Sequence, residues 1–500
     1  MKAVVTAAEM RAIDAETISA VGIPGAVLME NAGRAVAAEV RSLIRSGPVA
    51  AICGAGNNGG DGFVIARVLR EWGIEATVYL AGNPDKLKGD AKIHFDAYRN
   101  TGGPVVDISS TDALTRERAA IASAEAVVDA VFGTGLEREV EGNYRAVIEA
   151  INATTATVVA VDLPSGLSAD SGAALGVCAR ADVTVTMAFH KRATASAPGH
   201  ARCGRVVVAE IGIPARLAAD QGVGVQLVEA SDVAAMLPSI NVLDYKNRRG
   251  HLLVAGGSAG KRGAARLAAS AGLRTGAGLV TLVSDEHDTR VDDSIMTAVA
   301  ADAGELLTLA TGKACVAMGP GMDAGASGRA VVDALLTGCQ APLVIDADGL
   351  NHLAERLDAV AAATAPVVLT PHPGEAARLL GTTSSEIEAD RIASVRALAL
   401  RSEAVCVLKG ARTVVGSGEM VFVIAAGDPA LATAGSGDVL TGVIAALAAQ
   451  GLEARDAAIA GCFLHARAGE LGAARYGSRG LVSSDLPALV AEARAVLEPR

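Results

Sequence analysis

Short runs of β-branched and aliphatic residues recur along this chain at intervals that leave room for one helix each. In the first half they read VAAIC (49–53), ATVYL (76–80), AVVDA (126–130), TVVAVD (157–162), DVTVTM (182–187) and RVVVAE (205–210). The runs are continuously apolar rather than alternating, which is the pattern of strands buried on both faces. Segments between them, such as FVIARVLREWG, carry apolar residues at three- and four-residue spacing. Strand–helix alternation of this kind predicts a parallel sheet with right-handed crossovers and helices on both sides. A second series follows residue 240: HLLVAG (251–256), GLVTLV (278–283), ACVAMG (314–319), PLVIDA (342–347), PVVLT (366–370), AVCVLK (404–409), RTVVG (412–416) and VFVIA (421–425). The stretch between the series, IPARLAADQGVGVQLVEASDVAAMLPSINVLDYKN, shows no clear cycle, so a boundary is expected near residues 225–240. Five hundred residues exceed one core. Two α/β domains are expected, 1–225 and 235–500.

Composition narrows the function classes. The chain is 51% hydrophobic and 20% charged with 56 Gly, a blend that packs helices on buried strands and argues against disorder. One Trp, five Tyr and six Phe supply few platforms for stacking bases. A net charge of −11 opposes a nucleic-acid surface, which needs clustered Lys and Arg. Any phosphate-bearing ligand must be caught by local backbone N–H groups. The amino-terminus offers no signal-peptide pattern, and the stretch Val439 to Leu452 is too short and glycine-broken to span a bilayer, so neither nucleic acid nor membrane is an expected partner. Seven Cys stand singly within apolar runs, as reduced core thiols of a cytoplasmic protein would.

In the first half, CGAGNNGGDG (53–62) follows a strand and opens a helix. It holds Gly54-x-Gly56-x-x-Gly59, yet the next strand, ATVYLAGN, lacks the acid that closes a dinucleotide fingerprint. The loop supplies a glycine-rich turn at a helix N-terminus, which favours an anion. Equally, Asn57, Asn58 and Asp61 could be no more than turn formers and caps. VVDAVFGTGLER ends a strand with Asp129 and a Gly-Thr-Gly turn, and VVAVDLPSGLSADSG ends another with Asp162, Pro164, Ser165 and Gly166. In a doubly wound sheet such strand ends converge on one crevice. Near the start, residues 10–37 read as an amphipathic helix pair around Leu28, Met29, Glu30 and Asn31.

Together IDAETI, GIPGAVLMENAGRAVA, GNNGGDG, VDAVFGTGL, VAVDLPSGLSADSG and GRVVVAEIGIP make residues 1–220 resemble the YjeF N-terminal domain, the NAD(P)H-hydrate epimerase family. The resemblance implies a Rossmann-like fold and a hydrated nicotinamide cofactor as substrate. It places that substrate on Asn57, Asn58, Gly59, Gly60 and Asp61, on Gly133, Thr134, Gly135, Leu136, Glu137, Arg138 and Glu139, and on Asp162. It also implies a potassium ion on Asn58, Asp129 and Ser165; oxygen ligands without His or Cys suit a hard cation. FHKRATASAPGH (189–200) matches the family's Lys-Pro-Gly loop only loosely. Asp162 stands as the acid nearest the reacting ring, either moving a proton or orienting ribose or amide. Asp129, beside potassium, is read as electrostatic.

In the second half, GDPALATAGSGDVLTGVIAAL (427–447) sets Gly435-Ser436-Gly437-Asp438 before an apolar helix. Small residues let N–H groups approach transferring phosphate oxygens, and Asp438 is placed to take a proton from an attacking hydroxyl. A plain Asp cap behind a glycine turn is the competing reading. VLKGARTVV puts Lys409 and Gly410 at a strand end, and LTPHPGEAARLLG sets His372 between two prolines. The loop GGSAGKRGAARLAA is not a P-loop, because Arg262 follows Lys261 where a hydroxyl is required.

VAGGSAGKRGAARLAA, RTGAGLVTL, MGPGM, LVIDADGL, LTPHPGEAARLL, LKGARTVV and ATAGSGDVLTG make residues 235–500 similar to the YjeF C-terminal family of NAD(P)H-hydrate dehydratases, with a ribokinase-like fold. That resemblance implies ADP, with magnesium, on Lys409, Gly410, Ala411, Arg412, Thr413 and Gly437, and the hydrate on Ala264, Gly321, His372 and Asp438. YKNRRG and Asp428 depart from the family pattern, leaving Lys246 and Asp428 without an assigned contact. The implied chemistry turns the hydroxyl of the hydrate into a phosphate ester, with Asp438 as base; phosphate then leaves, giving NAD(P)H and AMP. NADHX and NADPHX are the expected substrates and a homo-oligomer the expected assembly. The alternative is a ribokinase-superfamily small-molecule kinase fused to a non-catalytic binding module.

Overall fold

The computed structural model describes residues 1–239 and 241–498. The chain divides into two compact units, one of Lys2–Val223 and the other of the chain from Gly224 onward.

In the first unit seven parallel strands lie in the order Val105–Asp107, Ala76–Leu80, Val49–Cys53, Ala126–Ala130, Thr157–Val161, Val183–Met187 and Arg205–Ala209. Numbered by their sequence this is 3-2-1-4-5-6-7, the doubly wound arrangement, and its direction reverses between Val49–Cys53 and Ala126–Ala130. The central strands are buried along their whole length because they face apolar helices on both sides. Val49, Ala51 and Cys53 pack with the helices Gly25–Leu43 and Asn57–Glu71. Ala50 and Ile52 face the other way, toward Leu114, Val147 and Ile151 of the helices Thr111–Ala122 and Gly142–Asn152. The expected amphipathic helix pair is present as Ala7–Glu16 and Gly25–Leu43, joined through a π-helical turn at Thr17–Val21. Thr6 and Glu9 cap the first reciprocally. A short parallel pair, Lys2–Val5 with His190–Lys191, was not expected from the sequence; two residues are too few to show a pattern.

The sheet of the second unit runs Met296–Val299, Leu279–Ser284, His251–Ala255, Cys315–Met318, Leu343–Ile345, Val367–Leu369, Val405–Leu408, Val414–Ser417, Met420–Ile424 and Val225–Val228. It is parallel except where Val405–Ile424 forms an antiparallel meander, whose connections are too short for a helix. The stretch without a clear cycle contains the strand Val225–Val228, which pairs with Met420–Ile424. The helix Ser436–Ala449 is apolar nearly all round and is buried accordingly among Arg262–Arg274 and Ala454–Tyr476. All seven cysteines are free and buried. Among the described residues no helix is long and apolar enough to cross a membrane.

Candidate active sites

At the reversal point of the first sheet, the loop after Val49–Cys53 enters the helix Asn57–Glu71. A Cβ on Gly59 would stand 1.9 Å from the Gly54 carbonyl oxygen, so only glycine allows this close turn. No side chain caps the helix, which sets aside the reading of Asn57, Asn58 and Asp61 as plain caps. Instead the buried Asn58 Nδ2 has no hydrogen-bond partner. A Cβ on Gly133 would lie 3.0 Å from Asn58 Oδ1 and 3.5 Å from Asp162 Oδ2, so these three positions converge.

Behind them Asp129 is fully buried. Its Oδ1 accepts from the Ser165 hydroxyl at 2.5 Å and its Oδ2 from the Ser165 N–H at 2.8 Å. The Phe132 N–H donates to Ser165 Oγ at 2.9 Å. Every one of these donors is neutral. Burial pushes the Asp129 carboxyl up to about 6, with the Ser165 hydrogen bonds opposing.

Asp162 sits in the left-handed region at φ 66. Its Oδ1 accepts from Lys191 Nζ at 2.6 Å and from Thr186 Oγ1 and the Met187 N–H, each at 3.2 Å. Two further acids face this pair. Burial, followed by the Asp162 charge, raises Asp61 well above its ordinary value; burial also raises Asp14 to about 6, with Lys191 opposing. A cavity of about 250 Å³ opens beside Thr134, Leu136 and Glu137, bounded by Arg11, Ser168 and Asp170. Gly135, Arg138 and Glu139 are exposed on the same loop.

In the second unit Gly435 takes φ 86 and delivers the chain into Ser436–Ala449, with Asp438 half-buried in its first turn. Lys409 Nζ donates to Asp346 Oδ1 at 2.6 Å and lies 3.7 Å from Glu375. Thr441 Oγ1 donates to the other Asp346 oxygen at 2.7 Å. A Cβ on Gly437 would lie 3.3 Å from Lys409 Nζ and 3.8 Å from Asp346 Oδ2, so turn, lysine and acid adjoin. Burial first, then the Asp346 charge, raises Asp438 to about 6, and Lys409 counters. His372 caps the helix Pro373–Leu380, its Nδ1 accepting from the N–H groups of Gly374 and Glu375 at 3.0 and 3.3 Å. Burial and the Lys409 charge hold the imidazole below its ordinary value. With Nδ1 accepting, the ring proton sits on Nε2, 3.5 Å from Glu375 Oε1.

The remaining strand ends complete this face. The Gly321 carbonyl accepts from Ser258 N–H at 2.7 Å and Oγ at 2.9 Å, tying its loop to the one that leads to Ala264. Residues Lys409, Gly410, Ala411, Arg412 and Thr413 form the turn between Val405–Leu408 and Val414–Ser417. Arg391 lies beneath it, donating to the carbonyls of Leu408 and Lys409 at 3.0 and 3.1 Å.

Residues 25–193 match the family described as YjeF-related protein N-terminus, and residues 252–490 match NAD(P)H-hydrate dehydratase. The Bifunctional NAD(P)H-hydrate repair enzyme Nnr of Moorella thermoacetica is 41% identical over 501 residues, covering 96% of this chain and 94% of its own. Its namesake in Coxiella burnetii is 36% identical over 474 residues, covering 93% and 94%. The chain belongs to the bifunctional NAD(P)H-hydrate repair enzyme family. An ADP/ATP-dependent NAD(P)H-hydrate dehydratase from Bacillus subtilis, co-crystallised with ATP and Mg2+, is 26% identical, covers 55% of this chain and 99% of its own, and has a TM-score of 0.49.

Several residues of this repair-enzyme chain take part in the sites without having been singled out in the sequence. Asp346 ends a strand, as Asp129 and Asp162 do, and that shared position was the available signal. Glu375 and Thr441 lie three residues past His372 and Asp438. Lys191 carried no signal, being one of two adjacent basic residues in a loosely matching loop. Of the two departures from the family pattern, Lys246 is exposed, and Asp428 caps a short turn by accepting from Ala430 N–H at 2.8 Å.

Proposed function

We infer that this chain repairs hydrated nicotinamide cofactors in two steps, one in each unit. The first unit interconverts the R and S epimers of NAD(P)HX, and the second dehydrates the S epimer to NAD(P)H with ADP as phosphoryl donor. The observation that carries this reading is the family match in both halves, joined to a set of acids at the strand ends of each.

In the epimerase unit the hydrate lies along Asn57–Asp61, the 133–139 loop and Asp162. Its hydroxyl-bearing carbon adjoins the ring nitrogen, and Asp162, ion-paired with Lys191, takes and returns the proton on which epimerisation depends. Potassium fits Asn58, Asp129 and Ser165. The one carboxylate there has only neutral donors, Asn58 turns its amide oxygen toward the position shared with Gly133 and Asp162, and neither sulfur nor imidazole is offered. When bound, the ion supplies positive charge beside the substrate loop.

In the dehydratase unit Lys409–Thr413 and Gly437 hold the nucleotide, while Ala264, Gly321, His372 and Asp438 face the hydrate. His372 donates through Nε2–H. Asp438 takes the hydroxyl proton as that oxygen attacks the terminal phosphoryl of ADP, and the N–H groups of the 435–438 turn receive the developing negative charge. Magnesium fits as an ion carried largely by the nucleotide phosphates, since no group of three His, Cys, Asp or Glu among the described residues is poised to hold a metal. The test is to incubate the purified chain with both NADHX epimers and ADP. Recovery of reduced-nicotinamide absorbance for the whole pool is expected; recovery that requires no nucleotide, or a final product that keeps the phosphoryl group transferred from ADP, overturns the reading.

A further inference from the structure

We propose that Lys191 is the positioning residue of the epimerase site, clamping one oxygen of Asp162 so that the other alone works on substrate. This rests on the reading that Asp162 acts on the hydrate. Among the described residues the three donors to the Asp162 side chain, from Lys191, Thr186 and the Met187 main chain, converge on Oδ1. Oδ2 instead points to where the Gly133 and Asn58 positions meet. The ammonium is itself fully spent. Besides Asp162 it donates to Thr186 Oγ1 at 3.1 Å and to the Met187 carbonyl at 2.8 Å, which uses its three hydrogens. Lys191 therefore has no proton to offer a ligand and acts through Asp162.

The clamp is built on fixed main chain. Lys191 ends the short strand paired with Lys2–Val5, its N–H donates to Thr194 Oγ1 at 3.0 Å, and only 1% of its side chain is exposed. Asp162 N–H donates to the Val185 carbonyl at 2.8 Å, holding the left-handed turn. A buried ion pair is a poor device for stability, because desolvation offsets the attraction. Here it gives a carboxylate one defined rotamer and one free oxygen.

The experiment uses the full-length chain without nucleotide, following conversion of the R to the S epimer by chromatography. Lys191→Met is expected to lower kcat ~10²-fold while KM holds within about threefold. Because both residues act as one unit, the double variant Lys191→Met with Asp162→Asn should be no slower than Asp162→Asn alone. Losses that multiply in the double variant, or a Lys191→Met enzyme at wild-type kcat, overturn the proposal. Asp162→Asn at wild-type rate overturns the reading of Asp162 instead. If Lys191→Met shows no thermal unfolding transition for its unit, Thr186→Val decides, since it removes a shared contact without unpairing a charge. A severalfold loss in kcat at unchanged KM then supports the clamp, and no loss overturns it.

Discussion

Asp129 and Asp346 are counterparts, each a buried acid at the carboxyl end of a central strand, yet they are neutralised differently. Asp346 has its own cation, Lys409 at 2.6 Å, and a hydroxyl donor, Thr441. Among the described residues Asp129 is dressed only by the Ser165 hydroxyl and neutral N–H groups. A buried carboxylate without a cation is costly, which supports the proposal that the first site takes an ion from solution, while the second has a lysine in place. The difference teaches why one unit is read as potassium-dependent and the other is not. It also supports Asp438 as the proposed base: Lys409 donates to Asp346, and among the described residues no cation is hydrogen-bonded to Asp438.

The largest effect is therefore expected at Asp438. Asp438→Asn is nearly isosteric and should lower the ADP-dependent dehydration rate by ~10²–10⁴-fold, with epimerisation untouched. The pH profile of the wild type sharpens the point. A base must be deprotonated to act, and burial with the Asp346 charge raises Asp438 to about 6. Dehydration should thus decline as pH falls through about 6 rather than through the ordinary carboxylate range. A profile flat down to pH 5, or a variant keeping a tenth of the rate, removes Asp438 from that role.

Next is Lys409→Met, which breaks the pairing itself. It strands Asp346, 1% exposed, with Thr441 as the one remaining side-chain donor among the described residues. Unpairing a buried charge costs ~3–5 kcal/mol, so the transition of the second unit should fall by many degrees, and adding Asp346→Asn should restore much of it. Its KM for ADP should rise more than that for the hydrate. Equal unfolding of single and double variants would show that the lysine does not serve Asp346.

Much of this frame was legible beforehand, for a physical reason. VAAIC and ATVYL coincide end to end with Val49–Cys53 and Ala76–Leu80, because a strand buried on both faces must be apolar at every position. His190–Lys191 and Val105–Asp107 escaped because two or three residues carry no period. The acids at strand ends could be read from position alone, but their partners could not. Lys191 lies 29 residues after Asp162 and Lys409 lies 63 after Asp346, distances over which only the fold makes a pair.

On the other side of the comparison stands potassium. If an ion completes Asp129, it binds the folded unit and not the unfolded chain. Replacing a large organic cation by potassium should then raise the stability of the first unit by about 2.7 kcal/mol at a hundredfold excess over Kd. The second unit should not respond.

The smallest expected effect refines the Asp346 side. Thr441 Oγ1 donates its one hydrogen to Asp346 Oδ2 at 2.7 Å and lies 3.1 Å from the Gly437 carbonyl, so it links the acid to the helix that the 435–438 turn opens. Thr441→Val keeps the volume and removes that link. A hydrogen bond to a charged group is worth about 1.5–3 kcal/mol, but Lys409 still covers the other oxygen of Asp346. The loss should fall at the lower end of that range and appear mainly in the thermal transition, with KM for ADP unchanged. Ser165→Ala in the first unit, which removes a hydroxyl from an acid with no cation of its own, should cost more when potassium is left out. Equal losses at the two positions would mean that Lys409 and the ion do not distinguish the two acids.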